Sequence, residues 1–192
     1  MAALTVILII IIALIVIVAV YIFKTQRELV NLDELCKNAL SQISVQLNSR
    51  WDAVLNLAKM AARYSKHESE TLIKVIRERR VSSPSTPEQV NQQQGALQEV
   101  LGRLIAVGEA YPDLKAADLY RETMAGIEKY EENVRLSRMV YNDSATKMNR
   151  MVRQWPSSFV ASLLNFREKE YLKVDEEKKT YYPDLDEAFK VD

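Results

Sequence analysis

The sequence predicts an all-α protein in which a single N-terminal membrane-spanning helix runs on into long water-exposed helices. Three observations carry this. Leu4–Phe23 is a run of twenty residues without a charge. No Gly or Pro occurs before Pro84, and 83 residues without either strongly favour long helices. Beyond the apolar run, hydrophobic residues recur at steps of three and four, the period of a helix with one buried face.

The run from Leu4 to Phe23 spans roughly 30 Å at helical rise, the thickness of a bilayer's hydrocarbon core. A helix satisfies its own backbone groups there, so lipid selects that form. The run is too long for a signal peptide, no Lys or Arg precedes it, and Val20–Phe23 is too bulky for cleavage. Retention of the anchor is therefore expected. Lys24, Arg27 and Lys37 all follow it, which by the positive-inside rule puts the C-terminal part in the cytoplasm and the N-terminus outside. Tyr21 sits where amphipathic aromatics mark the boundary.

All 26 basic and 26 acidic residues lie after Phe23, so the water-exposed part is neutral overall. No basic excess recommends nucleic acid as a partner. The single cysteine, Cys36, excludes an internal disulfide. The expected division is an anchor over 1–24, one helical unit over 25–172 and a mobile acidic tail over 173–192, where seven acidic residues oppose three lysines from Asp175 onward.

Lys24–Arg27 contains no helix breaker, and the apolar pattern restarts at once. Leu29, Leu32, Cys36, Ala39, Ile43, Leu47, Trp51, Val54, Ala58 and Ala61 form one face of a helix to about Tyr64. Joined to the anchor, it would measure some 90 Å over about sixty residues. Ser65 or Ser69 is a candidate cap for a helix over about His67–Val81, and Ser82–Ser85 reads as a linker. Thr86, Pro87 and Gln89 form a capping-box start. That helix reaches about Glu109, with Leu97, Leu101, Leu104, Ile105 and Val107 buried and Gly102 and Gly108 permitting close contact. Tyr111–Lys115 is a turn around Pro112, with Asp113 capping the next helix and Lys115 pairing with Asp113 or Glu109. A long helix follows over about Ala116–Gln154, striped with Tyr120, Met124, Ile127, Tyr130, Val134, Tyr141, Ala145, Met148 and Val152. Trp155-Pro156 ends it. A short amphipathic helix through Phe159, Val160, Leu163 and Leu164 is capped by Ser157 or Ser158.

Gly95-Ala96-Leu97, Leu101-Gly102-Arg103-Leu104 and Glu109–Ala116 (EAYPDLKA) resemble the central signature of the bacterial LemA family. Val45–Leu47, Arg50-Trp51-Asp52, Tyr64–Glu68, Tyr141-Asn142, Trp155-Pro156-Ser157 and Phe166–Tyr171 match in the family's order. Trp155 departs from the usual Phe and Trp51 from a common His. The resemblance spans roughly Leu29–Leu172. It implies a membrane-anchored antiparallel bundle of long helices in the bacterial cytoplasmic membrane and brings no catalytic mechanism. The signature residues Glu109, Tyr111, Pro112, Asp113, Leu114 and Lys115 read as a structural turn at the bundle tip, with a docking surface as the functional alternative. Family association also suggests a membrane zinc metalloprotease of the HtpX type as a partner.

Each reactive group reads more simply as structural than as catalytic. His67 is the single histidine and lacks the companions and spacing of a metal site, so a helix-boundary role is expected. Cys36 lies on an apolar stripe without a nearby base and reads as a buried, inert thiol. Glu128, Glu131 and Glu132 read as a solvated face paired within their own helix. The glycines form no phosphate loop, and Arg77–Arg80 suits a helix C-terminus. Neither cofactor nor metal is expected. Uncharged polar residues crowd the first cytoplasmic helix between Asn38 and Ser49, so Gln42, Gln46, Trp51 and Trp155 are candidate interface residues, with an ordinary surface as the alternative.

These features favour a non-enzymatic scaffold anchored through Leu4–Phe23, forming homo-oligomers or binding other membrane proteins. A peripheral membrane-shaping role, with Phe159–Leu164 or the bundle on lipid, is the second reading. An enzyme with an unrecognised site is the third.

Overall fold

The structure, a computed structural model, describes residues 2–64, 66–79 and 84–173, with the backbone alone at 66–69 and 79. The first helix, α1, is Ala2–Ala61 and is unbroken across Lys24–Arg27. Its 60 residues give a rod of roughly 90 Å. Helix α2 is Lys66–Arg79, α3 Pro87–Ala110, α4 Pro112–Ala116, α5 Asp118–Arg153 and α6 Ser157–Leu163. The chain then reverses and runs extended over 166–173. No strand occurs among the described residues. The Ser65 cap, Ser82-Ser83, Arg80-Val81, the side chains of His67 and Ser69, and the tail from residue 174 lie outside the described residues.

Periodicity placed the α1 core face correctly. Leu29, Leu32, Cys36, Ala39, Ile43, Leu47, Trp51, Val54, Ala58 and Ala61 are all buried. Helix α5 packs antiparallel along this face. Arg50 pairs with Glu131, and Asn133 donates to Gln46 at 3.3 Å, while Met151 borders the cleft formed by Lys24–Asn31.

Two apolar clusters lie along the rod. The distal one gathers Trp51, Val54 and Leu57 of α1, Leu72 and Ile76 of α2, Leu97, Val100 and Leu104 of α3, Leu114 of α4, and Tyr120 and Ile127 of α5. The second, nearer the apolar run, joins Cys36, Ile43 and Leu47 to Val90, Val134, Tyr141, Ala145 and Leu172. Each large side chain fully buried here contributes about 1.5–3 kcal/mol. At the centre of the distal cluster Trp51 is fully buried, and its indole N–H donates to the Gln93 side chain at 2.9 Å. That bond satisfies the one polar group of an otherwise apolar ring.

Several local expectations change. Thr86 caps α3 and accepts from the Gln89 N–H, but the Gln89 side chain accepts from the Ser85 N–H, one residue before the reciprocal capping-box partner. Leu101 is half-buried and Ile105 lies on the solvent side, while Val90 and Val100 are buried in their place. Gly108 meets the Tyr120 ring, whereas nothing lies within 4 Å of a side chain built at Gly102. Ala117, not Asp113, occupies the N-cap of α5, and Asp113 sits in the first turn of α4. Pro156 rather than a serine caps α6, and the Ser157 hydroxyl lies 2.8 Å from the carbonyls of Met151 and Gln154. On α6 the inward residues are Val160 and Ala161, so Phe159 and Leu163 face outward.

Helix α6 ends in a Schellman motif. Asn165 takes the left-handed conformation with φ 59°, its N–H donates to Ser162 and that of Phe166 to Ala161. Asparagine tolerates this conformation better than most side chains. The motif turns the chain back along α5.

Candidate functional site

Tyr111 is both the C-cap of α3 and the N-cap of α4. Its N–H donates to Val107, and its carbonyl accepts from Leu114 and Lys115. Its half-buried ring lies 6.0 Å from that of Tyr64. Leu114 is buried in the distal cluster, and Pro112 begins α4 where no N–H is required. Glu109, Asp113 and Lys115 are exposed, and no ion pair joins Lys115 to either acidic residue among the described residues. The geometry of this signature is that of a structural corner.

The remaining candidates separate. Gln42 is exposed, and Gln46 is occupied by Asn133. Trp51 is enclosed by the core and so is withdrawn from any surface. Trp155 is 85% exposed. Leu4 and Phe23, at the ends of the apolar run, are 73% and 66% exposed, and that run is bare of protein through most of its length. Among the described residues, α1 is the one helix long and apolar enough to cross a membrane.

Glu131 pairs across helices. It reaches Arg50 on α1 at 3.0 Å, and the Arg50 side chain is almost wholly buried. Glu132 does pair locally, with Arg135. Periodicity cannot reveal a cross-helix ion pair, because it fixes faces and not partners.

The extended segment is also tied by pairs that spacing alone did not show. Asn142 Nδ2 donates to the Leu172 carbonyl at 3.0 Å and its Oδ1 accepts from the Leu172 N–H at 2.9 Å. One stretch along, Asn149 does the same for Lys169. The Tyr141 hydroxyl donates to Glu170 at 3.0 Å, and Lys169 Nζ lies 2.6 Å from Asp33 on α1. The segment therefore straps α5 to α1. Two asparagines seven residues apart beside an apolar stripe were the available signal.

Electrostatics follow from this packing. Burial pushes the Cys36 thiol up, which fits an inert core residue. Burial also raises the Tyr141 hydroxyl to about 12, with the nearby Cys36 and Glu170 adding to it. For Asp33, burial alone would raise the carboxyl, but hydrogen bonds and charge from Lys169 and Lys37 outweigh it and hold the group below its usual range.

The sequence model of the LemA family matches residues 39–186. The chain belongs to the LemA family. The match begins within α1, after the apolar run, and includes the Tyr111 corner, α5, α6 and the strap. Similar proteins include magnetosome proteins MamQ 1 and MamQ 2 of Paramagnetospirillum magneticum, each 32% identical over 77 residues. MamQ of Magnetospirillum gryphiswaldense is 32% identical over the same length. These alignments cover 40% of this chain and 28% of each relative, so less than a third of the relatives' length is represented. Family membership and the bare apolar start of α1 fit a membrane-anchored helical protein of the LemA family.

Proposed function

We propose that this LemA family protein is a non-enzymatic scaffold of the bacterial cytoplasmic membrane. It crosses the bilayer once, with its N-terminus outside and its bundle in the cytoplasm. It associates with itself or with other membrane proteins. The observation that carries this reading is the continuity of α1, which makes the anchor and the core of the bundle one helix. Lys24 and Arg27 follow the apolar run directly and favour the cytoplasmic side for the bundle.

The outer face of α5 supports a role in protein contacts. Leu136, Met139 and Val140 lie within one turn and are 48%, 57% and 51% exposed. Neighbouring exposed apolar side chains of this kind mark contact surfaces. Chemical cross-linking and native mass spectrometry of the full-length protein in mild detergent test the proposal. Discrete oligomers, or a co-purified membrane protein such as a zinc metalloprotease of the HtpX type, are the expected result. A strictly monomeric protein without partners contradicts it.

A further inference from the structure

Helix α6 carries four apolar residues among three serines and buries only two of them. Val160 and Ala161 face the protein, at 2% and 0% exposure. Phe159 and Leu163, one turn apart on the other side, are 67% and 70% exposed. Trp155, four residues before Phe159, is 85% exposed. Three large apolar side chains this exposed within nine residues are unusual for a surface that meets water.

Their height on the rod says what they meet. Helix α5 descends antiparallel to α1, and Met151 already stands beside Lys24–Asn31. Trp155 follows four residues later, towards the apolar run. The strap gives the same level from the other direction. Lys169 is tied to Asp33. An extended chain from Lys169 back to Phe166 drops about 10 Å, the rise of roughly seven helical residues, to the height of Arg27. Both ends of α6 therefore lie within a turn or two of Phe23.

The α1 surface shows the same overlap. Within Leu4–Phe23, Ala19 and Ile22 are partly covered while every other residue is exposed. Thr25, next on that face, is 5% exposed. The α5–α6 corner is the part of the fold nearest this height, and α6 packs against α1. Lys24 and Arg27 line one cleft with Glu28 and Met151, and Arg167 lines another with Ser158, Ser162 and Glu168, so cations stand at this height where lipid phosphates would lie.

We propose that Trp155, Phe159 and Leu163 form a foot seated in the headgroup–acyl boundary of the bilayer, fixing the depth and tilt of the rod. Tryptophan is the residue most suited to that layer, with an apolar ring and one N–H donor. The inference rests on the membrane-anchor reading of α1. It adds a second lipid contact contributed by the far end of the bundle fold.

The chain has two tryptophans, which makes the test direct. Trp51 lies on α1 roughly 40 Å above Phe23 by helical rise. Full-length protein and Trp155→Phe are reconstituted into phosphatidylcholine–phosphatidylglycerol vesicles with lipids brominated near the carbonyl end of the acyl chain. The Trp155 emission, taken as the difference between the two proteins, should lose most of its intensity, and Trp51 emission should be almost unchanged. Circular dichroism confirms that Trp155→Phe is folded. Protein that enters vesicles with an unquenched Trp155 overturns the foot and leaves the anchor standing. Trp155 shielded from acrylamide yet unquenched by bromolipid also overturns it, placing protein rather than lipid on the face. Protein extracted from the vesicles by alkaline carbonate overturns the anchor and the foot together.

Discussion

Asn149 holds Lys169 by both of its backbone groups: Nδ2 donates to the carbonyl at 2.9 Å, and Oδ1 accepts from the N–H at 2.7 Å. One helical residue thereby supplies the ladder of a missing strand. Asn142 repeats the arrangement at Leu172, whose side chain closes the second cluster. The strap is thus built into the fold.

Asn149→Ala should cost about 1–3 kcal/mol, since it strands two part-buried backbone groups. Asn149→Asp should cost at least as much, because a buried carboxylate would set its second oxygen against the Lys169 carbonyl in place of a donor. Thermal unfolding measures both. Amide exchange at Lys169 and Leu172 should accelerate more in Asn149→Ala than exchange in the distal cluster. Uniform acceleration throughout the bundle would show that the asparagine acts on global stability and not on the strap.

Asp33 ties the strap to α1 through Lys169 and also accepts from Lys37 at 2.7 Å. Its carboxyl titrates below the 3.8 of an unperturbed aspartate, despite burial that opposes this, because the two lysines favour its charged form. A depressed folded-state value contributes stability that is present above the unfolded value and lost as pH falls through the folded one. Unfolding midpoints of the wild type should therefore fall as pH drops below about 4. Asp33→Asn should be less stable at pH 7 and flatter across that range. An equal acid slope in both proteins would remove Asp33 from the account.

Gly108 and Gly102 share one helix but not one environment. An added methyl at Gly108 would lie against the Tyr120 hydroxyl and 2.9 Å from Cζ of its ring. Tyr120 is 6% exposed and has little room to yield. Gly108→Ala should destabilise by about 1–3 kcal/mol through overpacking. At Gly102 nothing lies within 4 Å, so Gly102→Ala should stabilise by roughly 0.5–1 kcal/mol through helix propensity. Chemical denaturation of the two variants reads the opposite signs.

The parts of the fold legible in the sequence are those governed by local periodicity. The buried stripe of α1 from Leu29 to Ala61 follows from 3.6-residue spacing, and the absence of a breaker at Lys24–Arg27 gave its continuity. Pro87 marked a helix start because it lacks an N–H where none is needed, whereas Pro112, read as a turn, begins the short helix α4. What escaped was long-range or depended on which side of a short helix faces inward. Residues 166–173 were invisible as a strap because their hydrogen bonds go to side chains twenty and thirty residues away. Glu131 looked like an ordinary surface acid because Arg50 lies 81 residues before it. Helix α6 is two turns long, too short for its pattern to say which apolar residues face inward, and Phe159 and Leu163 are left outside. Trp51 was legible as a packed residue on the α1 stripe and misleading as an interface candidate. Its partner Gln93 can be found only once α3 is placed.

Helix α1 is a single helix from the apolar run into the bundle. Val16 and Val45 are both exposed, 54% and 55%, and lie on either side of the Lys24–Arg27 junction. Spin labels at Val16→Cys and Val45→Cys, in a Cys36→Ala background diluted with unlabelled protein in lipid nanodiscs, report the distance between them by pulsed electron paramagnetic resonance. A straight helix predicts a narrow distribution centred near 44 Å. A broad distribution, or one centred well below that value, would mean a hinge at the membrane surface and would contradict the single rod.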